Sequence, residues 1–271
     1  MNYQTYKPHS DLSTLVKCYW TLEVPAQKDV QRQLILPDGC LDMCFTLGDE
    51  IKRYSSETEF VIQPRQMVLG QITEQFYIEP TGFVDTFAIR FYPYGFTNFI
   101  DYPLNELCNK ETPLSELFGE EKAENLSQKI ILAKSTEERI EIIEKFLFER
   151  LNEKATIDNI VKSTIDVMLL SNGSMNLNTI LKNDISKRRQ LERNFKKQIG
   201  LSPKQLSKAI RLQATLQMLL NQKTRTLTDI AYENEYYDQA HFIKDFKEFT
   251  GLTPKEFLTA DKMLLSSLLY K

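Results

Sequence analysis

The chain has 271 residues, 42% of them hydrophobic and 26% charged, which suits two domains with real cores. It has no apolar run near the ~20 residues that cross a bilayer, no basic-then-apolar leader in MNYQTYKPHSDL, and only four cysteines. A reduced cytoplasmic protein without membrane contact is expected. The net charge of −3 conceals a split, because residues 1–171 hold 17 Lys+Arg against 27 Asp+Glu and residues 172–271 hold 17 against 10. The basic part points to a polyanionic partner, and the acidic part to a different task.

Eight of the ten prolines precede Leu114, and only Gly173, Gly200 and Gly251 follow Gly119. A turn-rich β part therefore precedes an α part. Short β-branched or aromatic runs predict strands over Leu15–Val24, Gln33–Leu36, Leu41–Leu47, Met67–Gln71, Glu74–Glu79 and Phe83–Tyr92. Gly48-Asp49 and Thr81-Gly82 separate such runs and suggest hairpin turns, a spacing that favours a sandwich or small barrel. Cys40 and Cys44 share one strand face and read as core thiols beside Leu41, Met43 and Phe45. No metal is expected, since zinc wants four Cys or His ligands and this half holds only His9. Tyr19, Trp20 and Tyr92 either line a ligand pocket or belong to the core. Arg90 stands in an apolar run and needs a partner, which is a ligand carboxylate or else Asp42 or Asp85.

After Pro93 the pattern turns helical. Thr136–Leu151 puts Ile140, Ile143, Leu147 and Leu151 on one stripe, which either packs on its own domain or forms a dimer seam. Ala155–Leu170 is a second amphipathic helix, with Gly173 as its stop. Further helices are predicted near 177–182, 187–199, 203–221, 226–234, 238–250 and 254–258. They contain a repeat: ISKRRQLERNFKKQIGLSPKQL recurs 51 positions later as YYDQAHFIKDFKEFTGLTPKEF. Leu191 falls on Phe242, Arg193 on Lys244 and Phe195 on Phe246. In each copy a helix ends at a glycine suited to a left-handed C′ position, Gly200 or Gly251. Ser202 or Thr253 then caps the next helix, and Pro203 or Pro254 opens it.

Two copies of a basic, helix-ended unit suit a repetitive partner such as double-stranded DNA, whose major groove admits an α-helix. Over 187–199, Leu191, Phe195 and Ile199 form an inner stripe, leaving Arg188, Arg189, Glu192 and Arg193 outward. Over 238–250, Phe242, Phe246 and Phe249 face inward, leaving Gln239, Ala240, Ile243 and Lys244 outward. Arginine and glutamine can read guanine and adenine edges, and small or apolar side chains can touch a thymine methyl. Lys196, Lys197, Lys204, Lys208, Arg211, Lys247 and Lys255 read as phosphate neutralisers.

Residues 156–258 resemble the AraC-type family of bacterial transcription regulators, most closely over LTDIAYENEYYDQAHFIKDFKEFTGLTPKEF (Leu227–Phe257). The resemblance implies seven helices forming two helix-turn-helix units bridged by a long helix. It also implies recognition helices entering successive major grooves about 34 Å apart. Two departures stand out. Glu235 replaces the glycine usual before the second recognition helix; a left-handed non-glycine is costly there, so the expected turn either differs slightly or is carried by Asn234. An extra residue between Ser186 and Leu191 leaves open whether Arg188 or Arg189 faces the groove. LILPDGCLDMCFTLGD and FAIRFYPYGFTNFIDYPLNELCNKETPLSELFG resemble the cupin-like sensory domain that precedes this unit in some AraC-type proteins.

The expected architecture is α+β. Residues 1–118 form a β-rich cupin-like barrel with a pocket drawn from Tyr19, Trp20, Asp42, Arg90 and Tyr92. Residues 119–154 form a helical connector, 155–260 an all-α double helix-turn-helix domain, and 261–271 a tail. The expected partners are DNA, a small-molecule effector, a second copy of the chain, and RNA polymerase if the protein activates. The competing reading is a small-molecule-binding or interaction protein with a degenerate DNA-binding half. An enzyme with a cupin site ranks third, since no nucleophile–base constellation or phosphate-cradling glycine loop occurs. Neither a cofactor nor catalytic residues are expected.

Overall fold

The computed structural model describes residues 1–27, 30–151, 157–175, 185–221 and 226–259. The helix expected near 177–182 and the tail 261–271 lie outside these residues. Side-chain alternation builds the N-terminal half. In β4 (Leu41–Thr46) all six residues are buried. Leu41, Met43 and Phe45 enter an apolar core on one side, and Asp42, Cys44 and Thr46 line a cavity on the other. β9 (Val84–Phe91) repeats the plan, with Phe87, Ile89 and Phe91 in the core and Val84, Thr86 and Arg90 on the cavity. A strand buried on both faces needs a layer on each.

One layer is a second sheet. β1 (Asn2–Tyr6), β2 (Val16–Val24), β9, β4, β7 (Gln66–Leu69) and β10 (Glu111–Pro113) form a six-stranded antiparallel sheet in that order. β3 (Gln33–Ile35), β8 (Phe76–Pro80), β5 (Ile51–Tyr54) and β6 (Phe60–Ile62) form the other. Among the described residues the expected barrel is two facing sheets without a closed hydrogen-bonded ring. The two expected hairpins are corners instead. β4 and β5 belong to different sheets, as do β8 and β9, so Gly48-Asp49 and Thr81-Gly82 carry the chain between layers. The corners are tied together, with Asp49 N donating to Phe83 O at 2.8 Å and Phe83 N to Asp49 Oδ2 at 2.7 Å.

The other layer is helical: α1 (Leu114–Phe118), α2 (Glu120–Leu132) and α3 (Thr136–Phe148). Leu126, Ile130, Ile143, Phe146 and Leu147 join Phe45, Phe87 and Phe91 in one core. Each fully buried phenylalanine there contributes roughly 1.5–3 kcal/mol. The α3 stripe packs on its own domain, with Ile143 and Leu147 in this core and Ile140 and Leu151 partly buried against it. The Tyr19 hydroxyl and the His9 amide both donate to Glu144 Oε1, at 3.0 and 2.7 Å, and tie α3 to the β layer.

The C-terminal part contains α4 (Asn159–Leu170), α5 (Ile185–Ile199), α6 (Pro203–Asn221), α7 (Leu227–Glu233), α8 (Gln239–Thr250) and α9 (Pro254–Thr259). Val161 and Ile165 of α4, Leu191 and Phe195 of α5, and Leu206 and Ile210 of α6 form one core. Leu212 and Leu216, farther along α6, share a second with Ile230, Phe242, Phe246 and Phe257. The long α6 thus belongs to both units. No described helix is long and apolar enough to cross a membrane.

The β part leans on both units. Leu34 and Leu36 enter the second core, Tyr94 enters the first, and Gln213 Nε2 donates to Pro37 O at 2.6 Å. A Cβ at Gly200 (φ +90°) would lie 2.9 Å from Leu104 O. One at Gly251 (φ +71°) would lie 2.4 Å from Gln75 Nε2. At Gly200 glycine therefore serves the left-handed turn and a close backbone approach together, whereas at Gly251 the neighbour is the end of a flexible side chain and the left-handed turn alone calls for glycine.

Candidate nucleic-acid interface and interior cavity

α5 is a helix with one buried stripe and a charged remainder. Leu191, Phe195 and Ile199 are buried, while Arg188, Arg189, Glu192 and Arg193 are exposed. Arg188 Nε and Glu192 Oε1 form an i,i+4 pair at 3.3 Å, each side chain 53% exposed. Such a pair is worth only a few tenths of a kcal/mol, so it yields readily to a nucleic-acid contact.

α8 is positioned more firmly. Asp238 has extended backbone geometry and its carboxylate accepts from His241 N at 2.7 Å, an N-cap that fixes where the helix starts. Phe242 and Phe246 anchor the helix, and Ala240 and Lys244 are exposed. Gln239 is half-buried and its Oε1 accepts from Thr228 Oγ1 at 2.8 Å. Ile243 packs partly against the core, which reduces what it offers to a base.

The turn before α8 keeps its shape despite lacking glycine. Glu235 has φ +55°, and it carries the left-handed position itself, whereas Asn234 has φ −96°. Glu235 N donates to Tyr232 O at 3.0 Å and Tyr236 N to Ala231 O at 2.9 Å, the paired bonds of a Schellman stop.

The basic residues divide into two groups. Lys196, Lys197, Lys204, Lys247 and Lys255 are exposed. Lys208 and Arg211 have partners within the domain. Lys208 Nζ lies 3.2 Å from Asp245 Oδ1 and 3.4 Å from Glu248 Oε2, clamping α6 to α8. Arg211 Nη2 donates to Gly173 O at 2.8 Å, and its guanidinium lies 5.3 Å over the Tyr236 ring. The sequence held a signal for this. Asp245 adjoins the inner stripe of α8, and a carboxylate buried there needs a cation.

Between the two sheets lies a cavity of about 290 Å³. Trp20, Asp42 and Arg90 line it, but the other two expected pocket residues do not. Tyr19 neighbours Trp20 on β2, so it points to the opposite face and is buried in the core. Burial and the Glu144 carboxylate raise its hydroxyl pKa far above the usual tyrosine range. Tyr92 lines a separate cavity of about 120 Å³, between the β part and the helices, together with Lys17, Ile210 and Gln213.

Arg90 forms the wall between the two cavities. Its Nε and Nη2 meet Asp42 Oδ1 and Oδ2 at 3.1 and 2.8 Å, and Nη2 also meets Asp38 Oδ2 at 2.9 Å. Asp85 is not the partner; it alternates onto the other face of β9. Trp20 Nε1 donates to Asp42 Oδ1 at 3.1 Å, and Cys40 N to Asp38 Oδ1 at 2.9 Å. Burial raises the Asp38 carboxyl above its usual range although Arg90 opposes the shift. Desolvation also pushes the Cys40 thiol up to about 12 and the Cys44 thiol well above its ordinary value. Asp38 escaped the sequence reading because it precedes β4 across Gly39 at φ +76°, where strand alternation does not apply.

The paired helices, their buried stripes and their exposed basic faces define a helix-turn-helix DNA-binding domain. Residues 186–260 match the family described as a helix-turn-helix domain, and residues 4–113 match a domain of unknown function, DUF6597. The C-terminal part therefore carries a helix-turn-helix domain, in keeping with the AraC-type resemblance of its sequence. No curated protein matches the sequence.

Similar solved structures include ToxT from Vibrio cholerae, with 13% identity, 97% of this chain and 100% of that chain covered, and a TM-score of 0.48. ToxT bound to (E)-4-(8-methylnaphthalen-1-yl)but-3-enoic acid shares 12% identity over 96% and 99% of the two chains, with a TM-score of 0.47. An AraC-type regulator from Chromobacterium violaceum shares 23% identity over 36% and 87%, with a TM-score of 0.32. At these scores the structural likeness carries no weight for function. The assignment rests on the C-terminal family match and on the helices themselves.

Proposed function

We propose that this regulator reads DNA through α5 and α8 and is controlled by a small molecule held between its two sheets. The observation that supports the reading is the contrast on each recognition helix. A fully buried stripe fixes it to the domain, and the opposite face offers Arg188, Arg189, Glu192 and Arg193, or Ala240 and Lys244. Lys196, Lys197, Lys204, Lys247 and Lys255 supply phosphate contacts and a steep salt dependence. Residues 1–118 are the effector domain, 119–154 a connector and 155–260 the DNA-binding domain, working in the cytoplasm without catalysis.

The cavity shares the Arg90 wall with the cleft against α6, so an occupant that moves this wall favours one placement of the helices over another. A second copy of the chain, and RNA polymerase where the protein activates, complete the proposed partners. The test is protection of the DNA flanking the protein's own gene, followed by selection of the preferred site. Arg189→Ala and Lys244→Ala are each expected to cost about 1–3 kcal/mol at the cognate site and to relax preference at different base pairs. Unchanged preference in both variants would refute the assignment of reading residues.

A further inference from the structure

The chemistry of the cavity wall indicates what the cavity holds, granted that it is the effector site. Of the described side chains lining it, Arg90 is the one basic group, and it faces two carboxylates, Asp38 and Asp42. Its guanidinium is already shared between them. A carboxylate ligand would have to displace one aspartate and leave a buried anion without its cation, which strongly disfavours its binding. Lys17, the other cation near this cluster, lines the smaller cavity beyond the wall.

The carboxylates have acceptor capacity to spare. Each can accept about four hydrogen bonds, but the donors to Asp38 are Cys40 N at one oxygen and Arg90 Nη2 at the other. Aromatic rings stand beside the acids: Trp20 is bonded to Asp42, and the ring of Tyr3 lies 6.1 Å from that of Trp20. Acidic acceptors next to aromatic faces attract organic cations by charge and by cation–π contact. The rest of the lining is largely apolar, including Leu22, Ile35, Met67 and Ile78. A volume of about 290 Å³ suits a small ligand.

We propose that the cavity binds a small organic cation, an aromatic or aliphatic body whose protonated amine sits against Asp38 and Asp42 beside the Trp20 ring. The occupant's charge meets two carboxylates that share one guanidinium, and its apolar body fills the space between the sheets. Displacing no partner of Arg90, it binds without breaking the ion pairs that hold the wall together.

Trp20 is the single tryptophan of the chain and reports directly from the site. The full-length protein is titrated at neutral pH with three probes of nearly equal shape: 2-phenylethylamine, 2-phenylethanol and 3-phenylpropanoate. Trp20 emission and thermal unfolding are read in parallel. The amine is expected to saturate both signals with about tenfold or greater preference over the alcohol, and the carboxylate to bind weakest. Asp38→Asn, which leaves the two-point Asp42–Arg90 pair in place, is expected to lower amine affinity about fivefold or more while the protein still unfolds cooperatively. Asp42→Asn provides a second reading if the first variant is unstable. Equal or tighter binding of the carboxylate or the alcohol overturns the cation assignment and leaves the cavity as an effector site. Silence of both signals towards all three probes overturns the effector-site reading as well.

Discussion

Replacing Glu235 by glycine isolates the cost of the turn that aims the second recognition helix. Glu235 is exposed and sits at φ +55°, the left-handed position of the Schellman stop between α7 and α8. A side chain there costs about 1–2 kcal/mol relative to glycine through the clash of Cβ with the following carbonyl. Glycine removes that cost but gives the unfolded chain more freedom, about 0.4–1 kcal/mol in the opposite direction. The net gain for Glu235→Gly is therefore about 0.5–1 kcal/mol. For a chain of 271 residues that raises the unfolding midpoint by about 1–2 °C. Urea unfolding of full-length protein, followed by far-ultraviolet circular dichroism, gives the free energy directly. Glu235→Ala controls for loss of the carboxylate, because alanine keeps the Cβ and should be no more stable than the parent chain. If the glycine variant is no more stable than the alanine variant, the left-handed strain assigned to this position is wrong.

Lys208→Ala and Lys204→Ala separate the clamp from the phosphate contacts. The first leaves Asp245 buried without its cation and should cost about 1–3 kcal/mol in urea unfolding. The second should leave stability unchanged and lower the log–log salt slope of DNA binding by about one. The reverse pattern would return Lys208 to the DNA face. Gly200→Ala should destabilise by about 1–3 kcal/mol, because alanine must hold φ +90° and press on Leu104 O; an unfolding curve identical to the parent's would refute the close approach. Cys40 and Cys44 are buried with thiol pKa values raised by desolvation, so both stay protonated at pH 8. They should resist iodoacetamide until the protein is denatured, and stoichiometric labelling of either under native conditions, mapped by peptide mass, would contradict that placement.

The helical half was largely legible because its signals are local and redundant. The stripe Leu191, Phe195, Ile199, the glycine stops and the hydroxyl caps all fall within one or two turns of the boundaries they set. The strands were legible where burial is two-sided, as in β4 and β9. They were missed where residues are polar or the strand is short and exposed, as in β1 (NYQTY) and β6, whose Phe60, Val61 and Ile62 all face solvent. The reading of Gly48-Asp49 and Thr81-Gly82 as hairpin turns failed because a turn signal says where the chain reverses and not which sheet receives it. Parity would have separated Tyr19 from Trp20, whereas Asp38 lies outside β4 and is brought to Arg90 by the tertiary fold. The internal partners of Lys208 and Arg211 were not legible, because charge alone does not say which buried acid or carbonyl lies across the helix pair.

If α5 and α8 read DNA as proposed, the β half meets the ends of both reading helices, through the Leu104 backbone at Gly200 and through the Gln75 side chain at Gly251. The distance between the two reading heads is then held by a caliper with two arms, α6 along one side and the β half across the other. Changes near Leu104 or Gln75 would alter which spacing between half-sites is tolerated while leaving the bases preferred within each half-site alone. An operator with one base pair inserted between its halves should therefore select compensating substitutions far from any residue that touches DNA.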